Sequence, residues 1–269
     1  MQIAATHPAA KQVLALLRGQ GEPGLTLTEG FWACEAALDV ARTSGVVVHS
    51  VLYAPEVLRP DGLELALALS EHARSSYEIS AKTLQRLAER DRPDGLLAVV
   101  GLPDWSWESV TRSLGDRALV LVSDGIEQPG NLGTLVRTLD ACGADALILT
   151  NTRTRRENVK VLRASHATIL RVPSLVADSV EQARDWLDAA GFTAYLADTE
   201  GADRYSQTRF ADRSAIVMGN ERFGIDGDWY TPAARRVFIP MLGAADSLNV
   251  SISAAVLLYE ARSQLAGWR

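Results

Sequence analysis

Three segments of this 269-residue chain break an apolar run into glycine and small polar residues just before a helical stretch begins: DGIEQPGNLGTLVRT at 124–138, GNERFGIDG at 219–227 and IPMLGAADSLNVS at 239–251. In an open parallel sheet, ligands collect at the loops that leave the C-terminal ends of the strands. Gly219 and Gly224 are of the type that lets a chain turn with positive φ and approach a bound molecule closely. Asn131 and Ser247 are of the type that caps a helix. Asn249 follows Ser247 by two residues, so both can point into one cleft at a helix start, and Glu221 can pair with a cation or hold loop amides. Ile239 and Met241 read equally well as strand-end core. Such residues bind and align a small molecule. His7, His49, His72 and His166 form no spacing pattern, and two cysteines with four histidines make neither a disulfide framework nor a usual zinc site. No G-x-G-x-x-G follows the first strand of either half of the chain and no G-x-x-x-x-G-K-[ST] is present, which removes the dinucleotide and P-loop fingerprints.

The elements that must position these loops read as α/β throughout. Residues 1–102 alternate helices and strands: LTLTEG runs into the helix GFWACEAALDVARTSG, VVVHSVLYAP is a β-branched strand, Ser80 caps a helix, and LLAVVGLP is a buried strand. PDWSWESVTRSLGDR has no consistent period, and 103–116 reads as a linker. From 117 to 269 the alternation resumes, with strands at ALVLVSDG, ALILT, TILRVP, FTAYLAD, SAIVMG and RVFIP, helices at NLGTLVRTLDACGAD, RENVKVLRASHA and SVEQARDWLDAAG, and a long terminal helix from Ser247. The pattern predicts a mostly parallel sheet covered on both faces.

Composition sets broader limits. Hydrophobic residues make up 47% and charged residues 22% of the chain, which is ordinary for a globular protein and excludes disordered or low-complexity classes. No apolar run reaches the roughly 18 residues a membrane span needs, and the N-terminus lacks a signal-peptide layout. Cys34 and Cys142 lie in apolar helical contexts and read as reduced core residues, so the expected location is cytoplasmic. The net charge of −6 is a weak argument against a polyanionic partner, because a local cationic stripe suffices. Of 27 cations only Lys11, Lys82 and Lys160 are lysine. Arg153, Arg155, Arg156, Lys160 and Arg163 concentrate charge in one segment, and Arg86, Arg90 and Arg92 form a second possible patch; a solvated helix face is the plain alternative for the first.

Together the three loop segments resemble the motifs of the TrmH (SpoU) branch of the SPOUT superfamily, which methylates the ribose 2′-hydroxyl of RNA. The first appears as Asn131-Leu132-Gly133 with Arg137, the second as Gly219-Asn220-Glu221-Arg222-Phe223-Gly224, and the third as Ile239-Pro240-Met241 followed by Ser247-Leu248-Asn249-Val250-Ser251. The resemblance covers about 117–265; LTLTEGFWACEAAL and RPDGLLAVV more faintly resemble a small substrate-binding domain with a ribosomal-protein-like α/β fold. It implies a C-terminal domain with a deep trefoil knot, dimerisation through that domain, and S-adenosylmethionine held by the backbones of Ala197, Gly219, Asn220, Glu221, Ile239, Met241 and Leu248. It also implies a catalytic set of Arg137, Asn131, Glu221, Ser247 and Asn249; RNA contacts are expected from the charged segment at Arg155, Arg156 and Arg163, of which Arg163 fits the family pattern. The family proposal makes Arg137 a general base; anchoring a phosphate and stabilising the developing alkoxide asks less of a guanidinium. Methyl transfer needs alignment more than acid–base power, so no metal is expected. His166 lies in LRASHATILRVP, where the family often has glycine at the position of Ala167. The implied substrate is ribosomal RNA. Alternatives are transfer RNA, a resistance-conferring modification, a non-catalytic RNA-binding protein that kept the fold, and a dinucleotide-dependent oxidoreductase that lacks its glycine fingerprint.

Overall fold

The computed structural model describes residues 2–268 and places the β-branched runs of the sequence in two separate sheets. One unit comprises the chain up to Asp104 together with Arg156–Arg171; the other comprises Trp105–Arg155 and the chain from Val172 onward.

The first unit is built from β1 (Gln2–Ile3), α1 (Pro8–Leu17), β2 (Leu25–Glu29), α2 (Phe31–Ser44), β3 (Val48–Tyr53), α3 (Pro60–His72), β4 (Ser76–Ile79), α4 (Ala81–Leu87) and β5 (Leu96–Gly101). Its sheet runs β1-β4-β3-β5-β2 and is mixed: β1, β4 and β3 are parallel to one another, while β5 pairs antiparallel with β3 and β2. Gly45 stops α2 in a left-handed conformation, and the Ser80 side chain caps α4 by accepting from the Thr83 amide. Cys34 lies on the buried face of α2, where burial pushes its thiol up to about 12. Both cysteines are buried and unpaired.

The second unit follows with α5 (Trp107–Ser113), β6 (Ala118–Asp124), α6 (Pro129–Cys142) and β7 (Ala146–Thr150). After α7 (Val159–Ala164), which belongs to the first unit, it resumes with β8 (Ser174–Val176), α8 (Val180–Ala189), β9 (Thr193–Ala197), β10 (Asp203–Arg204), β11 (Arg213–Met218), β12 (Arg235–Phe238) and α9 (Val250–Leu265). The sheet order is β10-β12-β9-β11-β6-β7-β8, and every pair is parallel. β6 and β7 are buried along their whole length, as strands covered on both faces must be. This order sets the exits of β6, β11, β9 and β12 side by side at one end of the sheet.

Two stretches differ from the sequence expectation. The segment 103–116 contains α5, capped reciprocally by Ser106 and Ser109; its Val110 enters the core of the second unit and Trp107 meets Trp186 at 5.4 Å. A seven-residue helix is too short to show a period. The run TILRVP is not a strand: Thr168–Leu170 form a 3-10 turn and β8 starts only at Ser174. The helix expected over RENVKVLRASHA ends at Ala164, followed by His166 at φ +51° and Ala167 at φ +64°. Left-handed backbone with a Cβ costs about 1–2 kcal/mol, which explains why glycine suits the position of Ala167. Ala167→Gly is expected to raise the unfolding free energy by about 0.5–1 kcal/mol, the relieved strain being partly offset by the extra freedom of glycine in the unfolded chain. Denaturant melts of the two proteins check this.

Candidate active site

The exits of β6 and β11 are tied together by polar side chains. Asp124, buried at the end of β6, accepts from the Thr150 hydroxyl at 2.9 Å, the Asn151 amide at 2.9 Å and the Asp226 backbone N–H at 2.8 Å. Asn220 donates to the Gly125 carbonyl at 2.7 Å, while its Oδ1 accepts from the amides of Arg222 at 2.8 Å and Phe223 at 3.1 Å. The loop closes on itself through Asn220 N–H to the Gly224 carbonyl at 2.8 Å and Gly224 N–H to the Asn220 carbonyl at 3.0 Å. The two motif glycines serve this turn differently. Gly224 adopts φ +73°, as expected. Gly219 is not among the positive-φ residues; instead a Cβ on it would lie 2.3 Å from the Gly224 carbonyl carbon.

Beside this turn lies a cavity of about 540 Å³, within the range of small-molecule sites. Ala197, Gly219, Asn220, Glu221, Ile239, Met241 and Leu248 all contribute to its wall, as do Ser247 and Asn249. Met218, Ile225 and Leu257 supply further apolar surface. Sequence reading missed the polar side of the wall, Asp198 and Tyr230. The Tyr230 hydroxyl donates to Asp198 at 3.0 Å and Arg236 Nε donates to the same oxygen at 2.9 Å. Burial alone would raise the Asp198 carboxyl, but the Glu200 amide, the Tyr230 hydroxyl and Arg236 outweigh it and hold the group below its ordinary value. Burial, and then the bond to Asp198, pushes the Tyr230 phenol up. These partners are 32 and 38 residues from Asp198, and no local motif announces them.

The catalytic candidates divide. Asn131 Nδ2 donates to Glu221 Oε1 at 2.6 Å, Asn249 Nδ2 donates to Asn131 Oδ1 at 3.2 Å, and the Ser251 hydroxyl donates to the Asn131 carbonyl at 3.1 Å. One network thus joins all three motif loops at the edge of the cavity. Asn131 does not cap α6; Gln128 is at the cap and Pro129 begins the helix. Ser247 does not cap α9 either: Asn249 does, accepting from the Ser251 amide at 2.9 Å, which leaves Ser247 in the cavity wall. Arg137 is exposed on α6 and is not part of that wall.

The three RNA-binding candidates differ in their surroundings. Arg155 is exposed in the second unit. Arg156 is half-buried in the first unit, where burial lowers its pKa. Arg163 bridges Glu89 and, at 3.6 Å, Glu29. Among the described residues, no three His, Cys, Asp or Glu side chains are grouped to hold a metal, and no helix is long and apolar enough to cross a membrane.

The model of the SpoU rRNA Methylase family matches residues 118–259, a little over half of the chain. The 23S rRNA (guanosine(2553)-2′-O)-methyltransferase RlmP of Bacillus subtilis is 28% identical over 85% of this chain and 86% of its own length. The 23S rRNA (guanosine-2′-O-)-methyltransferase RlmB of Bordetella pertussis is 30% identical over 82% of this chain and 95% of its own. The crystal structure of an AdoMet-bound rRNA methyltransferase from Sinorhizobium meliloti superposes with a TM-score of 0.84 at 26% identity, covering 98% of both chains.

Proposed function

The chain belongs to the SpoU rRNA methylase family, and we infer that it transfers a methyl group from S-adenosylmethionine to a ribose 2′-hydroxyl of ribosomal RNA. The observation that carries this reading is the cavity itself: all seven residues expected to hold the cofactor contribute to one wall, beside a network that joins the three motif loops.

The cavity fits the cofactor chemically. Backbone groups at Gly219, Ile239 and Met241 suit the edge of an adenine, those of Asn220 being taken by the turn, and Met218, Leu248 and Leu257 suit its faces. When bound, S-adenosylmethionine supplies an electrophilic methyl on a sulfonium centre. The protein's part is alignment and charge. Asn131, fixed between Glu221 and Asn249, holds the loop edges where the ribose must enter, and Ser247 and Asn249 offer hydroxyl and amide groups to the sugar. Arg137 carries a fixed cation for an RNA phosphate or for the developing alkoxide. Arg155, Arg156 and Arg163 remain the proposed RNA contacts, with Arg163 exchanging its carboxylate partners for phosphate. The first unit acts as the substrate-binding domain.

Following the family, the C-terminal segment is threaded in a trefoil knot and two copies pair through the second unit. The exposed Ile252 and Tyr259, seven residues apart on α9, support the pairing by giving that helix an apolar face toward solvent.

Labelled methyl transfer to RNA fractions from cells lacking this protein tests the function. Label is expected in ribosomal RNA, on a ribose 2′-oxygen. Label confined to transfer RNA would move the substrate, and bound donor without transfer to any RNA would reduce the protein to a binding module.

A further inference from the structure

The first unit contains a second cavity, of about 420 Å³. It brings together Arg90 and Arg163, which the sequence places in two separate basic patches, with Arg171, His166 and a tryptophan that no motif singles out. Trp32 is 78% exposed. The packing of α2 does not need it, because Cys34, Ala37, Leu38 and Val40 fill the buried face. Phe31 braces the ring edge-on, with centroids 5.8 Å apart and planes at 83°. Leu27, Ala33 and Leu162 add apolar wall.

We propose that this cavity is a subsite for one unpaired nucleotide of the RNA substrate, its base stacked on Trp32 and its flanking phosphates held by Arg90 and Arg171. The proposal rests on the RNA-methyltransferase reading above. An exposed aromatic face among guanidinium groups is the combination that binds single-stranded nucleic acid, stacking for the base and cations for the backbone. The arginines take an anion by exchanging their carboxylate partners for it. Three arginines face Glu29 and Glu35, and Glu29 is already engaged by the backbone N–H groups of Glu89 at 3.2 Å and Arg90 at 3.1 Å and by Arg163. Arg171 pairs with Asp39 at 3.0 Å and Arg90 with Asp94 at 3.9 Å, both between half-exposed side chains. Such pairs are weak and yield readily to a phosphate. A paired helix hides its base faces, so the ring selects an unpaired base.

The test is binding of short oligoadenylate, oligouridylate and an RNA duplex of equal length to the full chain, with S-adenosylmethionine titrated in parallel. Trp32→Ala is expected to weaken the single strands by about tenfold or more, and Trp32→Phe to stay within about threefold, because a benzene ring still stacks. Donor affinity and melting temperature are expected to match wild type in both variants. Arg90→Ala is expected to reduce the salt slope of single-strand binding by about one. Single-strand affinity unchanged in Trp32→Ala overturns the subsite, as does a duplex that displaces the single strands at equal concentration. A changed oligomeric state in Trp32→Ala with unchanged RNA affinity would make Trp32 a protein contact instead. Wild-type protein that methylates RNA beside an unaffected Trp32→Ala sinks only the subsite, whereas wild type that binds neither donor nor RNA sinks the underlying function as well.

Discussion

Arg137→Ala will lower methyl-transfer turnover by about 10²–10³-fold or more, the effect of removing a donor aimed at developing charge, while donor affinity stays within several-fold of wild type. The separation follows from where α6 puts this side chain. Leu132, Gly133, Leu135, Val136 and Leu139 turn inward, Arg137 is exposed, and the donor cavity does not use it. Truncating an exposed helix residue changes stability little, so the loss will be read in turnover rather than in melting temperature. Arg137→Lys will recover part of the rate, since it keeps the charge and loses the planar fork. Wild-type turnover in Arg137→Ala would take the residue out of the mechanism. Because Arg137 lies off the wall of its own cavity, mixing Arg137→Ala with a cavity-defective variant is informative. Turnover in the mixture that neither variant shows alone means that one copy's arginine serves the other's cavity.

That position is also where sequence reading stops. The helix period of α6 identifies its buried stripe, and the motif identifies Asn131 and Arg137 together. Six residues on a helix nevertheless separate the two by about a third of a turn. Asn131 therefore joins Glu221 and Asn249 while Arg137 faces elsewhere. The strands that carry the cavity were legible because a parallel sheet buried on both faces demands near-continuous apolar runs, as in ALVLV and AIVM. The part of the cavity wall that lies within short motifs was legible, whereas Asp198 and Tyr230, outside them, were not. The transfer of Arg156–Arg171 to the first unit was not, since a local period carries no information about which core a helix will join. Val159 packs beside Leu27 and Leu97 there, a pairing across more than sixty residues of chain. Trp32 escaped notice for a related reason: after the strand LTLTEG, GFWACEAAL reads as a helix start, and only exposure in the fold shows that its ring is not core.

Gly219→Ala tests the cavity as directly as Arg137→Ala tests the transfer. An added Cβ would lie 2.3 Å from the Gly224 carbonyl carbon and 2.5 Å from both the Gly224 oxygen and the Ile225 nitrogen. These are backbone atoms, so no rotamer change relieves the contact and the turn must open. Opening it pulls Asn220 from the Gly125 carbonyl and Glu221 from Asn131, and so removes both the wall and the network. Reclosing the turn around a ligand at about 2–3 kcal/mol corresponds to a loss of roughly 30–150-fold in donor affinity, accompanied by a lower melting temperature. Gly224→Ala is the matched comparison. Its φ of +73° strains any side chain, but no atom lies within 4 Å of the added carbon. It is expected to lose about 1–2 kcal/mol of stability and to keep most of its donor affinity. Calorimetric titration of S-adenosylmethionine into both variants separates steric closure from backbone strain. A Gly219→Ala protein that binds the donor as wild type does would place the donor outside this cavity.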